Sequence, residues 1–301
     1  MKKVAIIGVG HVGSTTAYTL ISKNIIDELV LFDPNVDLIH AEINDLLDGQ
    51  MEQNHQVKII DSNLSELADT DIIIFSAGDI SLVKGNPDRF AELNLTKKIV
   101  EEWAPKIIAT NFSGIILNIT NPCDVVTQYL QELTGLPKER VIGTGTSLDT
   151  SRMKHAVSVH LGVHPSAISG YVIGEHGESQ FVAWSTVRVA GCPITDLLTA
   201  QALNQLDIAA RNGGWVTFQG KGYTSYGIAI QAAKITQAIL NDNHLIVPIT
   251  HYHPDEKCYV GDPAKVTKYG LDESYPLKLS KSEKEKWIHT IKTIHSMYSA
   301  I

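Results

Sequence analysis

The chain of 301 residues has little cysteine: Cys123, Cys192 and Cys258, an odd number with no C-x-x-C spacing. That excludes a disulfide framework and a zinc site built on paired cysteines, and it fits a reducing cytoplasm. Long apolar runs are missing. None approaches the ~18 residues needed to span a bilayer. The N-terminal run is broken by glycines and His11 within a few residues, so it reads as a first strand rather than a leader. Basic blocks are missing as well. With 25 lysines and arginines against 33 acidic residues, the net charge is −8, which leaves no electrostatic footprint for nucleic acid or an anionic membrane. An anionic ligand must therefore be held by a few locally placed cations. No Pro/Ser-rich linker, tandem repeat or low-complexity tract separates the chain into parts, so two folding units would share a large interface.

What is present is apolar content, 44% of residues. A chain of roughly 300 residues buries about 75% of its unfolded surface, enough for one large or two packed domains. Apolar runs bounded by turn residues recur at 4–7, 29–32, 57–60, 72–75, 115–119 and 141–142, with room for helices between them at 12–22 and 90–109. Unbroken apolar strands alternating with helices predict a parallel sheet covered on both faces. The fold class is thus α/β, a Rossmann-type doubly wound parallel sheet over residues 1–143, followed by a mixed α+β catalytic domain over 144–301. In that second part the spacing predicts helices over 147–160 and 223–240, a strand over 183–189, and a closing helix over 280–301. There Ser280 and Glu283 form a capping box, and Trp287, Ile288, Ile291, Ile294, Tyr298 and Ile301 keep one face apolar.

Gly8-Val9-Gly10-His11-Val12-Gly13 is a G-x-G-x-x-G pattern set between the first strand and the first helix, and Asp33 stands 20 residues beyond Gly13 at the end of the next apolar strand. Gly8 permits the tight turn, Gly10 lets backbone approach a pyrophosphate, and Gly13 lets helix and strand pack closely. The helix N-terminus offers unpaired N–H groups to the phosphates. Asp33 suits the adenine ribose hydroxyls and repels a 2′-phosphate, which favours NAD over NADP. Ala77 and Gly78, after the 72–75 strand, join Gly8, Gly10, His11, Val12, Gly13, Asp33 and Asn121 as expected cofactor-binding residues.

Three further segments carry chemistry: Thr120-Asn121-Pro122-Cys123-Asp124, Leu148-Asp149-Thr150-Ser151-Arg152 and Gly174-Glu175-His176-Gly177. Asp149 and Arg152 are three apart, so on a helix they point into one cleft. Arg152 offers a planar, always-charged fork for a carboxylate. His176, in a glycine-flanked loop, is the general acid/base, and Asp149 would hold its tautomer and stabilise imidazolium.

At these residues the chain resembles the L-lactate/malate dehydrogenase family over essentially its whole length, from GVGHVG through TNPCD, GTSLDTSRM, GEHGES and KGYTSYG to the closing SKSEKEKW. Its wording is most similar to the L-2-hydroxyisocaproate dehydrogenases, which share FAEL and GKGYTSYG. The resemblance assigns the same roles to Asp149, Arg152 and His176. It further makes Arg89 the mobile-loop arginine that polarises the substrate carbonyl, Asn121 a bridge between substrate and cofactor beside a fixed, cis-type Asn121–Pro122 turn, and Thr224 a lining of the pocket beneath the substrate. It also implies an L preference at C2 and a homo-oligomer, a tetramer rather than a dimer.

Substrate choice rests on departures from that family. The stretch from Asp79 to Asp88 carries neither the arginine of malate-specific members nor the glutamine of lactate-specific ones, and Leu82 and Val83 offer apolar contact, although Lys84 lies beside them. Gly213 and Gly214 stand where lactate-type members commonly carry alanines, which widens the pocket. The expected substrate is a small-molecule 2-oxoacid with a medium or branched apolar side chain; the alternative is L-lactate dehydrogenase acting on pyruvate. Ser169 and Lys154 replace the histidine and arginine of sugar-bisphosphate-activated members, so no activation by fructose 1,6-bisphosphate is expected. Competing readings are an NAD-dependent glycosidase, whose metal-binding cysteine/histidine pair is lacking in this arrangement, and a non-catalytic NAD-binding regulator. His251-Tyr252-His253 has alternate-residue spacing, but no partnered carboxylate is evident in sequence, so no metal is expected.

Overall fold

Apolar strands without alternation need cover on both faces, and the structure supplies it. The computed structural model describes residues 1–78 and 89–301, the side chains of residues 89–91 excepted. The first half runs β1 (Lys3–Ile7), α1 (His11–Ser22), β2 (Glu28–Phe32), α2 (Val36–Gln50), β3 (Lys58–Asp61), β4 (Ile72–Phe75), α3 (Arg89–Ala109), β5 (Ile115–Asn118), α4 (Cys123–Thr134) and β6 (Val141–Gly143). Strands β1 to β6 pair in parallel in the order β6-β5-β4-β1-β2-β3. Side chains of β1 alternate between two buried clusters: Val4 and Ile6 pack on one face with Leu20, Ile235 and Ile239, while Ala5 and Ile7 pack on the other with Val100, Trp103 and Val126. This is why these strands lack a polar side.

The second half runs α5 (Ser147–Leu161), β7 (Ile168–Ser169), β8 (Val172–Ile173), β9 (Phe181–Val182), β10 (Arg188–Val189), β11 (Cys192–Pro193), α6 (Ile194–Leu197), α7 (Ala200–Lys221), α8 (Tyr226–Leu240), β12 (Leu245–His253), β13 (Cys258–Thr267), β14 (Gly270–Ser274) and α9 (Lys281–Tyr298). Strands β12, β13 and β14 join the first sheet antiparallel at its β6 edge, through the pair Thr250 and Gly143, and make a nine-stranded sheet among the described residues. β12 and β13, longer than the parallel strands, carry the second half's contribution to a core shared by both halves: Val247, Ile249, Ala264 and Val266 lie in the same cluster as Val4 and Ile6.

Two expected elements differ. The strand over 183–189 is interrupted by a 3-10 turn at Trp184–Thr186, because the Glu283 carboxylate takes the Ser185 N–H at 3.0 Å and its hydroxyl, supplying from α9 the partner a neighbouring strand would give. The helix over 223–240 starts only at Tyr226, since Gly222 ends α7 at φ +81° and Ser225 is not helical. The Ser280 capping box is present in full, with Ser280 N–H donating to Glu283 at 2.8 Å and Glu283 N–H donating to Ser280 at 3.4 Å. Helices α2, α4 and α7 and the β12–β14 strands were not foreseen. Among the described residues no helix is long and apolar enough to cross a membrane.

Candidate active site

In a doubly wound sheet the strand order reverses at one point, and the loops at the carboxyl ends on either side of it leave a crevice. Here the reversal falls between β1 and β4. Gly8 follows β1 at φ +92°, and a Cβ there would meet the backbone of Ala77, after β4, at 2.6 Å. The two loops thus touch only because Gly8 has no side chain. A Cβ on Gly13 would lie 1.9 Å from the Gly8 carbonyl oxygen, whereas the space over Gly10 is open to 4 Å. Helix α1 has no side-chain cap and no acidic residue in its first turn, so its first N–H groups face that opening. Asp33 accepts from Val9 N–H at 3.0 Å and from Asn35 N–H at 3.0 Å, which locks the glycine loop against the end of β2. The buried Ser76 hydroxyl, beside Ala77, has no hydrogen-bond partner among the described residues. A loop pinned from behind and open in front has the shape a dinucleotide pyrophosphate requires, and Gly8, Gly10, His11, Val12, Gly13, Asp33, Ala77 and Gly78 belong to the segments that frame that opening.

The second cluster lies where α5 meets the 174–177 loop. Asp149 and Arg152 share a face of α5, with Arg152 Nη1 donating to Asp149 Oδ1 at 3.0 Å. The other oxygen, Oδ2, lies 2.7 Å from His176 Nδ1. Asp149 is buried while His176 and Arg152 are partly exposed, so the carboxylate anchors an imidazole and a guanidinium from beneath. Burial alone would raise the Asp149 carboxyl, but His176 and Arg152 outweigh it and hold it down to about 2. The ionised form is therefore favoured by folding. Because the folded value lies below the unfolded one, the stabilisation, about 2 kcal/mol, is present above the unfolded carboxylate range and lost as pH falls through about 2. In urea unfolding, the stability advantage of the native chain over Asp149→Asn is expected to shrink by about that amount between pH 6 and pH 2; a constant difference would contradict the pairing.

The turn at Asn121 is cis at Asn121–Pro122, as the resemblance implied. Asn118 holds it by donating to Thr120 O and Cys123 O at 3.1 Å, and Thr120 donates to Ala77 O at 2.8 Å. Asn121 is thereby brought to the nucleotide crevice. Thr224 lies in the short connection between α7 and α8, half-buried. Gly213 and Gly214 lie on α7 against Arg152, and a Cβ on Gly214 would stand 3.2 Å from the guanidinium. Leu82 lies outside the described residues, and Arg89 is placed only as the first residue of α3. A cavity of about 590 Å³ between α5 and α7 is lined by Arg152 and Gly213, with neither Asp149 nor His176 in its lining.

Sequence reading missed the supports of this cluster. Asp124, fully inside, accepts His176 N–H at 2.7 Å on one oxygen and the Thr250 hydroxyl at 2.6 Å on the other. Burial pushes the Asp124 carboxyl up to about 6, against the Thr250 bond, and the nearby Glu175 adds to the rise. Glu175 itself takes the Ser179 N–H and hydroxyl, and its own N–H donates to Thr290 at 2.7 Å. Tyr223 stacks on His11 with ring centroids 3.7 Å apart and planes within 7°, joining the start of α1 to the segment that carries Thr224. The only sequence signals for Asp124 and Tyr223 were their places in TNPCD and KGYTSYG; Thr250 had none.

Such a crevice beside a His–Asp–Arg chain defines a dinucleotide-dependent oxidoreductase. Comparison with known proteins gives the family. Residues 2–143 match the NAD binding domain of lactate/malate dehydrogenase, and residues 146–299 match its alpha/beta C-terminal domain. The chain is 37% identical over 298 residues to L-lactate dehydrogenase 3 of Bacillus cereus, covering 95% of this chain and 93% of that one. Among solved structures, it is similar to the ligand-bound minor L-lactate dehydrogenase of Enterococcus mundtii, with TM-score 0.95 and 30% identity over 100% of this chain and 98% of that one. It is also similar to the Cryptosporidium parvum lactate dehydrogenase complexed with lactic acid and NAD, with TM-score 0.93 and 25% identity over 99% of this chain and 97% of that one. The chain belongs to the lactate/malate dehydrogenase family: an NAD-dependent oxidoreductase acting on the CH–OH group of a 2-hydroxyacid.

Proposed function

We propose that the chain interconverts L-lactate and pyruvate, with His176, Asp149 and Arg89 as catalytic residues. The observation that carries this is the continuous chain His176–Asp149–Arg152, at 2.7 and 3.0 Å. NAD, when bound in the crevice at Gly8–Gly13, supplies the hydride chemistry at the substrate's C2. Arg152 takes the substrate carboxylate on its fork, which the Asp149 bond orients. His176 carries a proton on Nδ1 toward Asp149, so its Nε2 is the atom that gives a proton to the C2 oxygen during reduction and removes it during oxidation. Asp149 balances the imidazolium. Arg89 polarises the carbonyl, Asn121 bridges substrate and cofactor, and Thr224 lines the pocket floor; these three roles rest on the family resemblance. The division into a nucleotide part at 1–143 and a catalytic part at 144–301, a cytoplasmic setting and a homo-oligomer, a tetramer by the same resemblance, belong to this proposal.

Pyruvate is preferred because the similar proteins are named L-lactate dehydrogenases. A second reading, a medium or branched 2-oxoacid of the 2-oxoisocaproate type, is favoured by the two side-chain-free positions Gly213 and Gly214 beside Arg152. NADH oxidation with pyruvate, 4-methyl-2-oxopentanoate and oxaloacetate separates them. The expected outcome is the largest kcat/KM for pyruvate, unchanged by fructose 1,6-bisphosphate. A tenfold or greater preference for the branched substrate, roughly 1.4 kcal/mol, would install the second reading. A preference for oxaloacetate would overturn both.

A further inference from the structure

The β12–β13 ribbon holds a cluster that plays no part in the reaction proposed above. His251 and His253 are two apart and therefore share a face of β12. Asp262 on β13 stands opposite Ile249, on that same face. One ligand atom from each of the three side chains lies within 4.8 Å of the others. His253 Nε2 is 3.1 Å from Asp262 Oδ1, and His251 Nε2 contacts the same oxygen. The side chains of His251, His253 and Asp262 are only 2%, 16% and 6% exposed. The Trp287 ring stands edge-on to His253 with centroids 5.6 Å apart, and Trp287 Nε1 donates to Glu256 at 2.8 Å, which closes the cluster with α9.

His251 Nδ1 faces the Tyr252 carbonyl at 3.3 Å, which leaves Nε2 as the ring atom turned toward Asp262. The neighbouring His253 Nε2 is buried 3.1 Å from that same Asp262 oxygen. Two ring nitrogens thus converge on one carboxylate oxygen, and a backbone carbonyl fixes one ring from behind, as outer partners do for metal-ligating histidines.

We propose that His251, His253 and Asp262 bind one divalent metal ion of the zinc class, with water in the remaining position. Two imidazoles and a carboxylate suit zinc, whereas magnesium and calcium require oxygen sets. The ion braces rather than reacts. Thr250, next to His251, donates to Asp124, and Asp124 takes the His176 N–H; Gly261, next to Asp262, exchanges backbone bonds with Gly174 at 2.8 and 3.2 Å. A metal joining β12 to β13 therefore stiffens the surface on which the His176 loop rests. The carboxylate not evident from local spacing is Asp262, nine residues past His253, brought back by the antiparallel turn.

Chelator-treated full-length protein dialysed against zinc, with bound metal counted by mass spectrometry, tests this. One zinc ion per chain is expected, with no uptake of magnesium, and Tm raised by roughly 5 °C at a hundredfold excess over Kd. His253→Gln and Asp262→Asn should each weaken binding tenfold or more, while His289→Gln, on the exposed side of α9, should not. If Asp262→Asn does not fold, His253→Gln decides together with cobalt substitution of the native chain, whose visible absorption reports nitrogen and oxygen ligation. Less than one ion per chain, or equal affinity in His253→Gln, overturns the site. Stoichiometric binding with no change in Tm overturns the bracing role.

Discussion

His176→Asn is expected to lower kcat about a thousandfold while leaving the KM for the oxoacid within a few-fold of native. The expectation follows from what asparagine keeps and loses. Its amide still reaches toward Asp149, so the carboxylate, whose ionised state is favoured by His176 and Arg152 together, retains a partner. Arg152 stays where Asp149 holds it, and substrate capture survives. What disappears is the group that protonates the C2 oxygen, and a positioned acid is worth roughly 10²–10⁴ in rate. The backbone N–H of residue 176 still donates to Asp124, so the loop has no reason to move. Steady-state rates, with the isotope effect from deuterated NADH, check this: the native pH dependence should flatten and the isotope effect should rise as chemistry becomes limiting. A kcat within tenfold of native would remove His176 from the reaction.

Arg152→Lys is the second large effect and is expected to act on the other parameter. Lysine keeps the charge but replaces a planar fork with a single ammonium. It loses the paired bonds to a carboxylate as well as the 3.0 Å bond that fixes the guanidinium against Asp149. Gly214 lies against that guanidinium, where an added Cβ would stand only 3.2 Å away. Losing bidentate recognition costs about 3 kcal/mol, or roughly a hundredfold, and it should fall on the KM for the oxoacid. NADH binding, measured by fluorescence titration, should not change, because the nucleotide loop makes no use of Arg152. An unchanged KM would show that another cation receives the carboxylate.

Of the two residues substituted, Arg152 was legible in sequence because its relation to Asp149 is local, and His176 through its glycine-flanked loop and the family resemblance. Asp149 and Arg152 lie within one helical turn, and Gly8 to Gly13 form one strand–helix junction, so spacing alone specifies a shared face or a tight turn. The unbroken apolar strands likewise report two-sided burial, which is a parallel sheet between helices, and the capping box at Ser280 is a contact between neighbours in the chain. Even the family resemblance is a matter of such local segments in a fixed order.

Tertiary structure decided what depends on partners far apart in the chain. That Asp124 and Thr250 support the His176 backbone from behind, and that Tyr223 stacks on His11, join residues separated by tens to hundreds of positions. No local rule fixes such pairings, because register and packing must first bring the strands together. The same holds for Asp262, invisible beside His251 until β13 folds back onto β12, and for the strand expected over 183–189, which a carboxylate on the last helix breaks by taking its N–H. The sequence by itself determined the fold class, the nucleotide loop and the chemical types at the reacting centre. Folding alone decided their distances, their protonation and their supports, because those are set by what is buried against what.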